Sequence, residues 1–193
     1  QIPFLKVRFA AASAGNDADP YQIYSVYVPG SVRAGGFGNI NFPFGGVNAY
    51  EVSNNPGNLA LKPEISNEYE AGLELGFFGR RVGLDLSYYD KLTKNQIISL
   101  NLEPATGATA QTVNLGSVRN KGVELALNLI PVRTEKLEWG LTFNYNKINN
   151  KVESLGLEGG SGNILLNSSY NVKLRAVVGK PLGAIYSPDV QRD

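Results

Sequence analysis

Asn67-Glu68-Tyr69-Glu70-Ala71-Gly72-Leu73-Glu74-Leu75-Gly76-Phe77-Phe78 sorts its side chains by parity. Odd positions from Tyr69 to Phe77 are all apolar: Tyr69, Ala71, Leu73, Leu75, Phe77. Even positions carry Glu68, Glu70 and Glu74, with Gly72 and Gly76 between and after them. Successive side chains of a strand point to opposite faces, whereas a helix would scatter the same residues around its surface. The stretch is therefore read as a β-strand with one oily and one acidic face.

The pattern continues on both sides of it. After Gly79-Arg80, the apolar series Val82, Leu84, Leu86, Tyr88 opposes Gly83, Asp85, Ser87, Tyr89, which makes a hairpin with the first strand. A second hairpin pairs Val123, Leu125, Leu127, Leu129 with Leu137, Trp139, Leu141, Phe143, Tyr145; the opposite registers hold Glu124 and Glu138. Pro131 lacks an N–H to give to a ladder, so it is placed in the turn, at the strand end. Two further strands are read at 4–12, where Lys6 and Arg8 alternate with Leu5, Val7 and Phe9, and at 170–178. The predicted strands are 4–12, 67–78, 81–98, 118–130, 137–149 and 170–178.

The links between them alternate too. Long segments at 13–64, 99–117 and 150–168 alternate with short turns at 79–80 and 131–136. Tight turns on one side and long loops on the other are the habit of strands that cross an outer membrane up and down. Strands of this length exceed the ordinary globular strand of about 5–6 residues and reach the roughly 9–11 that a tilted membrane strand needs. Tyr69, Phe77, Phe78, Tyr88, Trp139 and Tyr145 fall towards strand ends, where an interfacial aromatic girdle belongs. The expected fold class is all-β: antiparallel up-and-down strands forming part of a large transmembrane β-barrel. In it Tyr69, Leu73, Leu75, Phe77, Leu84, Leu86, Leu125, Leu127, Trp139, Leu141 and Phe143 face lipid, and Glu68, Glu70, Glu74, Asp85, Glu124 and Glu138 face the lumen. The alternative is a soluble extracellular β-sandwich that binds glycans, with the same apolar face as dry core.

Composition narrows the chemistry. Among 193 residues there is no His, Cys or Met, which removes disulfides, thiolate nucleophiles, Cys/His zinc sites and a Ser-His-Asp triad. Lys and Arg number 18 against 17 Asp and Glu, a balance that gives no reason to expect nucleic acid as a partner. No run approaches the roughly 20 apolar residues of a membrane-spanning helix, so a membrane location requires a barrel.

Four segments resemble one family. Asn58-Leu59-Ala60-Leu61-Lys62-Pro63-Glu64 with Tyr69-Glu70-Ala71-Gly72-Leu73-Glu74 is similar to the N-L-K-P-E … Y-E-x-G-L-E pattern of TonB-dependent outer-membrane transporters of the SusC/RagA type. Val118 to Leu125 resembles that family's V-x-N-K-G-V-E strand, and Val178-Gly179-Lys180-Pro181-Leu182-Gly183-Ala184-Ile185-Tyr186 its V-G-x-P-x-G-x-x-Y segment. Leu5-Lys6-Val7-Arg8, followed by Gly15-Asn16-Asp17, fits a further barrel strand. Ala10-Ala11-Ala12 and Ser187-Pro188 depart from the family's usual texture. The resemblance implies a nutrient importer in the bacterial outer membrane, for oligosaccharides or peptides. It also implies a SusD-like surface lipoprotein over the mouth and a plug domain, absent from this chain, moved by the TonB system. Plugged transporter barrels have about 22 strands, so the chain is expected to be part of a larger polypeptide. No cofactor and no covalent chemistry are expected.

Individual side chains are weighed accordingly. Glu68, Glu70 and Glu74 suggest a paired-carboxylate hydrolase, but residues on one face of one strand are read as lumen wall. Asp17 and Asp19 suggest a calcium loop, yet their spacing does not fit one, and Gly15, Asn16 and Pro20 are ordinary turn residues. Tyr21, Tyr24, Tyr27, Phe37, Phe42, Phe44 and Tyr50 make the first long loop aromatic. They are candidates to stack on substrate at the barrel mouth; the alternative is that they pack on one another. Arg119 and Lys121 sit on the apolar register at its loop end, where snorkelling or simple exposure explains them.

Overall fold

The computed structural model describes residues 4–34, 38–156 and 162–188. The first long strand is β1 (Phe4–Asn16), followed by the short β2 (Tyr27–Pro29), β3 (Ser31–Ala34), β4 (Gly38–Asn41) and β5 (Tyr50–Val52). Four long strands come next: β6 (Glu64–Phe77), β7 (Val82–Asn101), β8 (Ala110–Arg133) and β9 (Glu138–Ser154). The chain closes with β10 (Asn163–Ser169), β11 (Val172–Val177) and β12 (Ala184–Tyr186). A single turn of 3₁₀ helix at Pro104–Thr106 is the helical element among the described residues.

The long strands form one antiparallel sheet in the order β1-β6-β7-β8-β9. Its register turns the alternation of each strand into rows that cross all five. Val7, Leu73, Leu86, Leu125 and Tyr145 are successive partners, as are Leu5, Leu75, Leu84, Leu127 and Phe143. The rows between them are polar: Arg8, Gly72, Ser87, Glu124, Asn146, and Lys6, Glu74, Asp85, Ala126, Asn144. A slip of one residue in any pair would mix the two sets, so the side-chain pattern specifies the register.

Among the described residues, no second sheet covers the apolar face. Phe9 is 81% exposed and Tyr69 67%, a degree of exposure no sandwich core has. The buried apolar core lies instead at the loop end, where Leu115, Val118, Val152, Leu155 and Ala176 meet, with Ile164 and Leu182 packed against them. That core joins the wall to the three-stranded sheet β10-β11-β12.

Here the structure corrects the predicted strand at 170–178. Val172–Val177 is only 6 residues long, too short to cross a bilayer at about 9–11 residues. It pairs with β10 across a tight turn at Tyr170-Asn171 and not with the wall. Its alternation is real, but its inner residue Ala176 faces a small protein core.

The link read at 99–117 also differs. β7 runs on to Asn101 and β8 starts at Ala110, and the two stay paired past the last partner of β9, Ser154 opposite Ser117. This arm rises about 20 Å beyond its neighbours, at roughly 3.3 Å per residue. Asn95, with φ at +54°, breaks its ladder opposite Gly116, against which the backbone at Ser154 and Gly156 lies directly. Gly116 and Asn114 interrupt the apolar alternation there, which hides the arm from a pattern search. Pro131 likewise lies inside β8, where a bulge between Leu129 and Val132 spares it from the ladder.

Candidate functional site

The polar face of the wall is built around Arg8. Its guanidinium crosses over Gly72, where any Cβ would collide with it, and reaches Asp85 at 2.8 Å and the Ser87 hydroxyl at 2.6 Å. Its Nε lies 3.7 Å from Glu70, and Lys6 sits 3.7 Å from Glu74. Glu70, Glu74 and Asp85 are thus matched by cations of β1. Glu68 stands directly opposite Lys91, and Glu124 opposite Ser87 with its side chain exposed. Glu138 is apart from this group: it lies at the β8–β9 turn end, 2.7 Å from Arg133. Lys6 and Arg8 were legible as polar positions, but their partners follow only from β1 pairing with β6 across the long loop.

One step towards the loop end, the Tyr89 ring lies over Gly122, its direct partner, where a Cβ would run into the ring. Beyond it the face stays polar. Ser66 and Thr93 share a hydroxyl hydrogen bond of 2.8 Å. Asn150 donates to Asn120 at 2.6 Å and accepts from the Leu182 amide at 2.6 Å, tying the outer sheet to the wall. The whole stripe, from Lys6 to Asn150, can hydrate or hold a polar solute. Lys6 pairs with Glu74, and Arg8 with Glu70 and Asp85, whereas Glu68, Lys91 and Glu124 have no ion pair among the described residues.

Above the stripe, the first long loop folds into two ribbons, β2 with β5 and β3 with β4. Tyr27 opposes Val52 and Pro29 opposes Tyr50, so four apolar side chains share one face. That face is open: Tyr27 is 73% exposed and Tyr50 67%. Tyr21, Tyr24 and Phe44 are also exposed, Phe42 is half-buried, and Phe37 lies outside the described residues. The exposed rings do not form an internal core for the loop. Side-chain amides hold it in place: Asn114 accepts from the Lys62 amide and donates to the Lys62 and Asn95 carbonyls, all at 2.8 Å. Asn58 donates to the Thr112 carbonyl at 3.0 Å. Asp17 and Asp19 cap their own turn, accepting from the Ala18 amide and the Gln22 side chain.

On the opposite, apolar register a second charged group closes the loop end. Asp90 is gripped by Arg119 at 2.6 Å and Lys121 at 3.1 Å, and Arg119 reaches Glu153 at 3.5 Å.

Long antiparallel strands, an uncovered apolar face, a polar face behind it and one-sided long loops define an arc of a membrane β-barrel. The chain belongs to the TonB dependent receptor-like, beta-barrel family, whose model matches residues 3–188. It is similar to TonB-dependent receptor P26 of Formosa agariphila, 31% identical over 153 residues, which are 79% of this chain and 14% of that protein. It is also similar to TonB-dependent receptor SusC of Bacteroides thetaiotaomicron, 29% identical over 156 residues, 78% of this chain and 15% of that protein. The chain thus spans about 14–15% of the length of these relatives. Among solved structures, the RagAB peptide importer in its closed-closed state superposes with a TM-score of 0.74 at 19% identity, over 93% of this chain and 18% of that one. That likeness is one of fold. The wall belongs in the bacterial outer membrane.

Proposed function

We propose that these residues form part of the wall and mouth of a TonB-dependent importer for oligosaccharides or peptides. The observation that carries the reading is the five-strand sheet with an uncovered apolar face on one side and the Arg8-centred polar stripe on the other. In this reading, Leu73, Leu75, Leu84, Leu86, Leu125, Leu127, Leu141 and Phe143 meet lipid hydrocarbon. Phe77 and Trp139 at one end, and Tyr69 at the other, sit at its interfaces. Glu68, Glu70, Glu74, Asp85 and Glu124 face the lumen. The one-sided loops put the ribbons outside the cell.

The wall does no covalent chemistry. Its polar stripe gives a passing solute hydrogen-bond partners in place of lost water. Tyr27 and Tyr50 offer flat rings at the mouth, suited to sugar rings or to apolar peptide side chains. A SusD-like lipoprotein would cover this mouth, and a plug elsewhere in the polypeptide would couple transport to TonB; the likeness to the TonB-dependent receptor SusC supports the coupling. Transport is tested in cells carrying the full-length protein, with labelled oligosaccharides and peptides too large for porins. Uptake that stops on gene deletion and on collapse of the proton-motive force supports the reading. Uptake indifferent to deletion sinks it.

A further inference from the structure

Resting on the importer reading and deepening it, we propose that the cavity over Tyr89 is a subsite for one neutral pyranose ring of an oligosaccharide cargo. Two large apolar side chains interrupt the polar register between the Arg8 row and the buried core. Tyr89 on β7 and Ile148 on β9 flank Gly122 on β8, the partner of both. Ile148 is 59% exposed and Tyr89 is half-buried, so neither belongs to a core. The hydroxyl end of Tyr89 occupies the place that a Gly122 side chain would take. The ring therefore lies along the wall, one face on the Gly122 backbone and the other towards the lumen.

Both side chains line a cavity of about 430 Å³ that reaches Leu182 under the outer sheet, a size within the roughly 300–1,000 Å³ of small-molecule sites. Its rim mixes donors and acceptors. The Lys91 ammonium, Tyr89 Oη and the Gln96 side-chain amide have no hydrogen bond or ion pair among the described residues. Asn120 accepts from Asn150 through its carbonyl and keeps its NH2 to donate. Glu64 accepts the Ile97 amide through one oxygen and keeps the other. Within this lining Lys91 and Glu64 balance, so neither sign of cargo charge is selected. A pyranose matches on both counts. Its C–H face covers Tyr89 and Ile148, and its edge of hydroxyls, each a donor and an acceptor, meets the rim. An apolar peptide side chain fits worse, because on this floor it would cover the polar rim without bonding to it.

The probes are neutral hexasaccharides of glucose, xylose or mannose, and hexapeptides of mixed sequence, titrated against the full-length protein in detergent. Tyr89→Leu keeps an apolar cover over Gly122 and removes the ring. Affinity for the hexasaccharide that binds best should fall about three- to tenfold, the range of an aromatic contact. Tyr89→Phe should recover most of that loss. Compact mobility on semi-native gels shows that Tyr89→Leu is folded. If it is not, Lys91→Ala/Gln96→Ala, which alters only the rim, is read in its place and should lower the same affinity by about threefold or more. Unchanged hexasaccharide affinity in the folded variant overturns the subsite. No binding of any hexasaccharide overturns it too, and hexapeptide binding that falls in Tyr89→Leu then reassigns the cavity to peptides. The importer reading fails separately, by uptake indifferent to gene deletion. Gene-dependent uptake with unchanged hexasaccharide affinity in Tyr89→Leu ends only the subsite.

Discussion

Arg8 reaches Asp85 across a gap that Gly72 leaves open: the two are on strands that do not touch, and the strand between them has no side chain at the crossing point. Gly72→Val should push the guanidinium off Asp85 and Ser87 and cost about 1–3 kcal/mol of overpacking. The check is the temperature at which the full-length barrel loses its compact mobility on semi-native gels. An unchanged temperature would mean that Arg8 has another route. Asp85→Asn should act in the same direction but less, because the amide keeps one acceptor for Arg8.

Phe143 and Asn144 lie on opposite registers of β9, and Phe143 shares a row with Leu127, Leu84 and Leu75. Phe143→Arg should impair outer-membrane assembly by about 2–4 kcal/mol near the bilayer midplane, whereas a charge on the lumen face only tunes what passes. Asn144→Arg should therefore assemble normally. Quantifying the folded band in outer-membrane fractions decides it, and equal loss in both variants would refute the two-faced wall.

Tyr27 and Tyr50 share the open face of the β2–β5 ribbon. Replacing both with Ala should weaken cargo binding by roughly 0.5–1.5 kcal/mol per ring and leave assembly intact. Comparing the variant's affinity for oligosaccharide with that for peptide shows which class the rings serve. No change for either class would remove them from the site.

Asn114 makes three hydrogen bonds that fasten Lys62 and Asn95 to the arm. Asn114→Ala leaves those backbone groups without their partner, a cost of about 1–3 kcal/mol where they are shielded from water. Limited proteolysis should then cut within 54–62 much faster than in the parent protein. Equal rates would show that Asn58 and Thr112 suffice.

The wall was legible because one face of every strand is apolar and the period is strictly two. Asn67 to Phe78 and Val82 to Tyr89 needed no tertiary information. The outer sheet was not legible for a related reason: Val172, Leu174 and Ala176 alternate as a wall strand does. Only the brevity of β11 separates a strand over a small core from one over lipid. The β7–β8 arm was hidden by Asn95, Asn114 and Gly116, which serve turns and close approaches. At the candidate site, the acids could be sorted to a face, but the role of Arg8 depends on a strand neighbour, Gly72, 64 residues away in sequence. Glu138 has the right parity and lies at the turn end, beside Arg133, because parity says nothing of height along the barrel.

The first long loop is fastened to the wall through main-chain groups and a few asparagines: Thr109 and Ala110 donate their amides to the Asn54 carbonyl, Asn58 donates to Thr112, and Asn114 grips Lys62. None of these hydrogen bonds involves an exposed ring. Mutation can therefore repaint the mouth, exchanging Tyr27 or Tyr50 for other shapes, while its anchorage stays put. On the importer reading, such an exchange would alter what is captured and leave the membrane wall intact.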